Sequence, residues 1–295
     1  MFGLLGGITT GSWAPIHEFC EAHRIPCLFP ITDLPVVSDT DWYTLYFSKG
    51  LYQEGEGAAA YLRGAEDIGP DARIVQVFRR DEPGAAVARG FRETWVKLGG
   101  RTPAERALGP AEAVTDQLWA ELAESPQPTV VLLWLEGDTL EALRKLPTGP
   151  ARPRAIFAST SLLGGDLAGV PDTLREIVYL TYPYSLPHET KLRQFAVESY
   201  LRTRNIPVTN LKIQAKIWFL GNMLPKALKE IRSEFYRDYF LEKMEMLTNQ
   251  ESSIAVYPRL TFGPDQRYAS KGCYIVQLMP GPNPELVKRS DWVIR

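Results

Sequence analysis

The segment Gly6-Gly7-Ile8-Thr9-Thr10-Gly11-Ser12 is where this sequence comes nearest to chemistry. Glycine lets a ligand approach the main chain closely. Free amides and the positive end of a following helix favour an anion, and threonine or serine hydroxyls add donors. A carboxylate suits such a cradle, with Thr9, Thr10, Gly11 and Ser12 as its contacts. The same residue types also serve a plain capped loop that holds nothing, and the sequence leaves both readings open.

Four further segments carry polar or aromatic groups just after an apolar run. They are Pro30-Ile31-Thr32-Asp33-Leu34-Pro35, Trp134-Leu135-Glu136, Ser159-Thr160-Ser161, and Tyr182 with Tyr184 beyond Pro183. Taken singly, each reads as ordinary loop chemistry. All fall at the carboxyl ends of successive strands, where open α/β sheets gather their ligands.

Other chemistries lack their residues. His17 and His23 tempt a zinc reading, but a spacing of six rotates two rings apart on a helix, where a metal pair needs one turn; both read as solvated helix residues. Gly3, Gly6, Gly7 and Gly11 make no G-x-G-x-x-G, no phosphate-binding G-x-x-x-x-G-K-[ST] occurs, and no G-x-S-x-G elbow supplies a nucleophile. Cys20, Cys27 and Cys273 form neither a C-x-x-C nor an even disulfide set, and read as small buried hydrophobes. No metal, cofactor or catalytic residue is expected, and the chain does not read as an enzyme.

The elements that must position these loops alternate. Strand-like runs are read at Phe2–Leu5, Cys27–Phe29, Arg73–Phe78, Thr129–Leu135, Ala155–Phe157 and Ile177–Leu180. Helical patterns lie between them: Ser12 onward with Ile16, Phe19 and His23 on one face, Gly57–Asp67, Glu82–Leu98, Ala113–Ala123, and a short helix capped by Asp138. Ile31–Thr40 reads as a loop, and Gly99–Pro110 is a proline- and glycine-containing stretch after which the pattern repeats. Continuous apolar strands alternating with helices predict parallel sheets covered on both faces.

The last third is helical first. Leu192, Phe195, Ser199 and Arg202 mark one helix. Ile213, Ile217, Leu220, Leu224, Leu228 and Ile231 form a second apolar stripe, which Pro225 is expected to kink or restart after Gly221-Asn222. Phe235–Leu247 follows. Ser253–Phe262 and Lys271–Leu278 then read as two strands joined by Gly263-Pro264-Asp265.

Length and charge set the frame. At 295 residues the chain suits two α/β lobes. With 33 Lys and Arg against 35 Asp and Glu, the net charge of -2 leaves no basic excess for a nucleic-acid backbone. Apolar runs are too short to span a bilayer. The opening Met1–Gly7 has no basic n-region and no long apolar core, so it is no signal peptide; it reads as a core strand, which predicts sequence missing upstream.

The run Leu4 to Ser12, the strand Ile25-Pro26-Cys27-Leu28-Phe29-Pro30, the Tyr61-Leu62 helix and the closing segments Tyr257–Pro264 and Tyr268–Ile275 resemble the type I periplasmic binding proteins, nearest to their leucine/isoleucine/valine-binding branch. The resemblance implies two Rossmann-like lobes joined by three hinge crossings, with one small molecule bound between them. It places residues 1–70 and 190–250 in lobe 1, and 71–189 and 251–295 in lobe 2. Lobe 1 would lack its first two strand–helix units. The Phe2–Leu5 strand then becomes an apolar edge, and the chain alone is expected to be unstable or to aggregate.

The resemblance also implies roles. Thr10 stands where the family holds a ligand carboxylate by a hydroxyl. Ile31 and Asp33 stand at positions that give a main-chain carbonyl and a threonine hydroxyl. Leu135 or Glu136 falls where an aromatic residue lines the second lobe, and Ser161 where amino-acid binders carry an acid for the ligand ammonium. Asp33 would repel a carboxylate, and Ser161 cannot balance an ammonium, so a zwitterionic amino acid fits poorly. The ligand class stays open among an amino-acid-like molecule, an amide, and an organic or aromatic acid. The implied function is extracytoplasmic capture of a solute for an ABC uptake transporter, with a membrane permease as partner. A ligand-sensing regulator on the same fold and a truncated copy that binds nothing are the alternatives.

Overall fold

The computed structural model describes residues 1–38, 40–65, 72–80, 82–110, 112–123, 129–149, 152–165, 167–251, 254–281 and 284–294. In chain order the strands are β1 (Leu4–Leu5), β2 (Cys27–Leu28), β3 (Thr44–Ser48), β4 (Arg73–Arg79), β5 (Ala104–Leu108), β6 (Thr129–Trp134), β7 (Ala155–Ser159), β8 (Val178–Tyr182), β9 (Tyr268–Ser270), β10 (Gly272–Leu278), β11 (Leu286–Lys288) and β12 (Val293–Ile294). The helices are α1 (Ala14–Ala22), α2 (Leu51–Gly64), α3 (Glu82–Lys97), α4 (Asp116–Ala123), α5 (Asp138–Arg144), α6 (Pro187–Thr203), α7 (Leu211–Ile231) and α8 (Arg237–Gln250).

Contacts divide the chain into two compact units, Met1–Gly50 with Tyr184–Lys271, and Leu51–Pro183 with Gly272–Arg295. The chain passes between units three times. The boundaries differ from those expected. Residues 51–64 form α2, which packs on α3, β8 and β10 and so belongs to the second unit. Residues 254–270 belong to the first. The expected helix end at Asp67 and strand start at Ser253 lie outside the described residues.

The first unit holds a four-stranded parallel sheet in the order β1-β2-β3-β9. Its strands alternate in period two. Cys27, Tyr46 and Tyr268 face α1 and pack with Trp13, Cys20 and Ile25. Leu28, Leu45, Phe47 and Ala269 face the other way, into a core built with Phe219, Met223, Phe240, Met244 and Tyr257. β3 was passed over in the sequence because Asp and Pro punctuation hides its start. The Glu21 carboxylate closes that start by accepting from the amides of Trp42 and Tyr43, each at 2.9 Å.

The α1 face is the reverse of the one expected. His17 and Cys20 are buried, whereas Ile16 and Phe19 are exposed. His17 is no solvated residue: its Nδ1 lies 2.9 Å from Tyr46 Oη and its Nε2 2.8 Å from Asp41 Oδ2. A carboxylate only accepts, so Nε2–H donates to Asp41. In the neutral ring Nδ1 then accepts from the Tyr46 hydroxyl.

Pro225 sits inside an uninterrupted α7. Asn222 Nδ2 donates to the Trp218 carbonyl at 2.8 Å, one turn before the proline. Residues 254–262 form no strand; they are an irregular buried segment contributing Ile254, Val256, Tyr257, Leu260 and Phe262 to the core. A short apolar run looks alike in either state.

The second unit holds a sheet in the order β11-β10-β8-β7-β6-β4-β5, with β12 also on β10. From β5 to β8 all pairs are parallel, while β10 runs antiparallel to β8. Val130 to Trp134 and Ala155 to Ala158 are almost wholly sealed from solvent, as strands covered on both faces must be. β5 lies within the proline- and glycine-containing stretch 99–110, where Glu105 and Arg106 break any apolar run.

Candidate functional site

In the first unit the carboxyl ends of β1 and β2 are stitched into one platform. Ile8 and Ile31 form a parallel bridge. The Thr9 amide donates to the Ile31 carbonyl at 3.2 Å, and the Ile31 amide to the Gly7 carbonyl at 2.7 Å. Thr32 Oγ1 donates to the Gly11 carbonyl at 3.4 Å and accepts from the Leu34 amide at 3.0 Å. Seven expected residues, Thr9, Thr10, Gly11, Ser12, Ile31, Thr32 and Asp33, therefore share one sheet edge.

Within the loop, Thr9 Oγ1 accepts from the Gly11 amide at 3.2 Å, and Ser12 Oγ from the Ala14 amide at 3.3 Å. Ser12 thus binds the opening of α1, although the helix begins after Trp13. The amides of Thr10 and Ser12 have no hydrogen-bond partner among the described residues. Thr10 and Gly11 are exposed, and Thr9 and Ser12 half-buried. The Ile31 side chain is buried and its carbonyl already accepts from Thr9, which leaves it one lone pair.

Asp33 is exposed, so its carboxylate stays in water. Its backbone is held from the next strand end: Gly50 has φ 56°, and a Cβ there would collide with the Asp33 carbonyl oxygen. Glycine is therefore required at Gly50 both for its left-handed backbone and for the close approach.

The ends of β3 and β9 complete the edge and were not singled out from sequence. Ser48 Oγ accepts from the Gly50 amide at 3.2 Å. Burial holds the Tyr257 phenol above its ordinary value, with a Ser48 hydrogen bond opposing and the Asp33 charge adding to the rise. Lys271 follows β9. Its ammonium is held below the usual lysine range by burial, and then by Arg259 and Lys49. Recognising β3 as a strand is the signal that would have brought Ser48 and Lys49 into view.

The second unit carries the remaining candidates at the ends of β6, β7 and β8. Trp134, a candidate contact, is a core residue: it is fully buried, and its Nε1 donates to Gln76 Oε1 at 2.8 Å. Leu135 is likewise buried, and its carbonyl accepts from Thr139 Oγ1. Glu136 is exposed. Ser161 is half-buried, with its carbonyl accepting from the Gly164 amide at 3.1 Å. Tyr182 ends β8, mostly buried, opposite Tyr274 of β10. No group of three metal-type side chains lies together among the described residues.

No family model matches the sequence, and no curated protein matches it. Solved structures do. An ABC transporter solute-binding protein from R. palustris, in complex with benzoate, is 14% identical with a TM-score of 0.67, over 100% of this chain and 79% of its own. A branched-chain amino acid ABC transporter protein from Thermus thermophilus, with bound valine, is 12% identical with a TM-score of 0.68, over 100% of this chain and 78% of its own. A periplasmic binding protein type 1 from Bordetella pertussis is 13% identical with a TM-score of 0.66, over 98% of this chain and 81% of its own. Superposing on these structures over 98–100% of its length with TM-scores of 0.66–0.68, the chain has the fold of the type I periplasmic binding proteins.

Proposed function

We propose that this chain is a solute-binding protein that captures a small carboxylate-bearing molecule on the strand-end edge of its first unit, for delivery to an ABC permease outside the cytoplasm. The observation that carries the reading is the Thr9–Ser12 loop. Two of its amides lack partners among the described residues, its hydroxyls are small, and it leads into α1 at the carboxyl end of a parallel strand. Such a loop favours an anion and leaves it accessible. The exposed setting of Asp33 supports the same reading, because solvent screens its repulsion toward a bound acid. Two similar folds hold valine and benzoate, both of which carry a carboxylate. Glu136, Ser161 and Tyr182 are proposed as the second unit's own ligand contacts.

Calorimetric titration and thermal shift with valine, benzoate, small amides and organic acids test this. A bound acid at a hundredfold excess over its Kd adds about 2.7 kcal/mol of stability. Thr10→Glu places a negative charge in the loop and is expected to abolish that gain. An acid that stabilises the native chain and the variant alike, or a full panel without effect, overturns the reading.

A further inference from the structure

Lys216 is a mostly buried lysine of the first unit whose ammonium packing alone leaves unexplained. Lys216 lies on α7 and is only 8% exposed. Its Nζ sits 5.5 Å from the Phe47 ring centroid and 5.4 Å from that of Tyr257. It makes no hydrogen bond and no ion pair with any described residue. Ring faces attract a cation weakly compared with the hydration it loses on burial. An anion from outside can supply the partner that such a cation lacks.

The ammonium is reachable. The described polar atoms that are sealed from solvent and lack a hydrogen bond do not include Lys216 Nζ. It also lies toward the strand-end edge. Phe47 immediately precedes Ser48, which bonds Tyr257, and Tyr257 feels the charge of Asp33. One turn earlier on α7, Lys212 Nζ stands 3.9 Å from the centroid of Tyr184, whose ring lies 6.0 Å from that of Tyr257. α7 therefore aims two positive groups at one aromatic pair.

We propose that Lys216 takes the second acidic group of a small dicarboxylate whose first is held by the Thr9–Ser12 loop. The inference rests on the solute-binding reading and narrows its ligand class. A Cβ on Gly6, just before the loop, would meet the side chain of Ile217, the neighbour of Lys216 on α7. Lys216 itself lies over Phe47 of β3, two strands from β1 in the same sheet. Glutarate, a short flexible diacid, is the probe for that span.

The test is calorimetric titration of the full chain with glutarate and with butyrate, which keeps the chain and one carboxylate but lacks the second. The proteins are the native sequence, Lys216→Met and Thr10→Glu. Glutarate is expected to bind the native chain at least tenfold tighter than butyrate. Lys216→Met is expected to lose at least tenfold for glutarate and stay within twofold for butyrate, while Thr10→Glu loses both. Ligand-free Lys216→Met is expected to melt at or above the native temperature, because methionine fills the same space without a charge. Glutarate binding unchanged in Lys216→Met, equal affinity for the two acids, or a ligand-free melting point several degrees lower overturns the role of Lys216 and leaves the solute-binding reading standing. Absence of binding by valine, benzoate, butyrate and glutarate alike overturns both.

Discussion

Gly55 of α2 lies against Gly90 of α3 so closely that a Cβ on the first would fall 3.0 Å from the carbonyl carbon of the second. The same Cβ would collide with the Val87 carbonyl oxygen, and a Cβ on Gly90 with the Tyr52 carbonyl oxygen. Alanine in place of glycine favours an isolated helix by about 1 kcal/mol. Here the obstacle is backbone, which cannot rotate away, so the helices must part. Gly55→Ala and Gly90→Ala are each expected to lower stability by about 1–3 kcal/mol. Gly64 at the end of α2 has open space at its Cβ position, and Gly64→Ala is expected to raise it by up to about 1 kcal/mol. Urea midpoints of the three variants give opposite signs if this packing is right.

His17 joins α1 to the sheet and to the loop before β3. Phenylalanine at this position keeps the ring's bulk and removes both hydrogen bonds, to Tyr46 and to Asp41. His17→Phe is expected to cost about 1–3 kcal/mol, because the buried Tyr46 hydroxyl loses its acceptor. A urea midpoint equal to the native value would show that the bridge is not formed in solution.

Burial lifts every cysteine in the chain: Cys20 is raised, Cys27 is pushed up to about 12, and Cys273 stands well above its ordinary value. Tyr46 and Tyr257 are raised by the same cause. Thiols of the unfolded chain titrate near pH 8.5. Above that, the folded state holds protons that the unfolded state has released, so stability falls as pH rises. The contribution is fully present below about pH 8 and declines by about 1.4 kcal/mol per pH unit for each thiol still protonated in the fold. Urea midpoints at pH 8 and pH 10 measure the decline. At pH 8 a thiol reagent is expected to label none of the three cysteines in the native chain and all of them in urea.

Trp134 separates stability from binding. Trp134→Phe removes the indole donor and strands the buried Gln76 Oε1. The expected cost is about 1–3 kcal/mol of stability, with affinity for acid probes unchanged. A loss of affinity would return Trp134 to the ligand contacts from which its burial removes it.

The parallel second-unit sheet was legible because β6 and β7 are nearly continuous apolar runs and β4 is interrupted only by Gln76 between its end arginines, a pattern that burial on both faces produces. The loops after β1 and β2 were legible because glycine and hydroxyl residues follow a strand at once. Where the physics is less local, the sequence was opaque. β5 carries two charged residues among five and lies largely half-buried or exposed, so it shows no apolar run. The face of α1 was misjudged because its buried pair, His17 and Cys20, is less hydrophobic than its exposed Ile16 and Phe19. Trp134 looked like a candidate ligand contact because nothing local reveals that Gln76, on β4, satisfies its nitrogen. Lys216 was hidden inside an amphipathic stripe, where a lysine reads as surface.

The pairing of β3 with β9 joins residues 44–48 to residues 268–270. The five parallel strands of the second unit all lie within residues 73–182. Non-local pairing costs loop-closure entropy before any contact rewards it. β9 is thus the costly strand of the first unit's sheet, whereas β1, β2 and β3, whose ends carry the proposed acid-binding edge, are neighbours in the sequence.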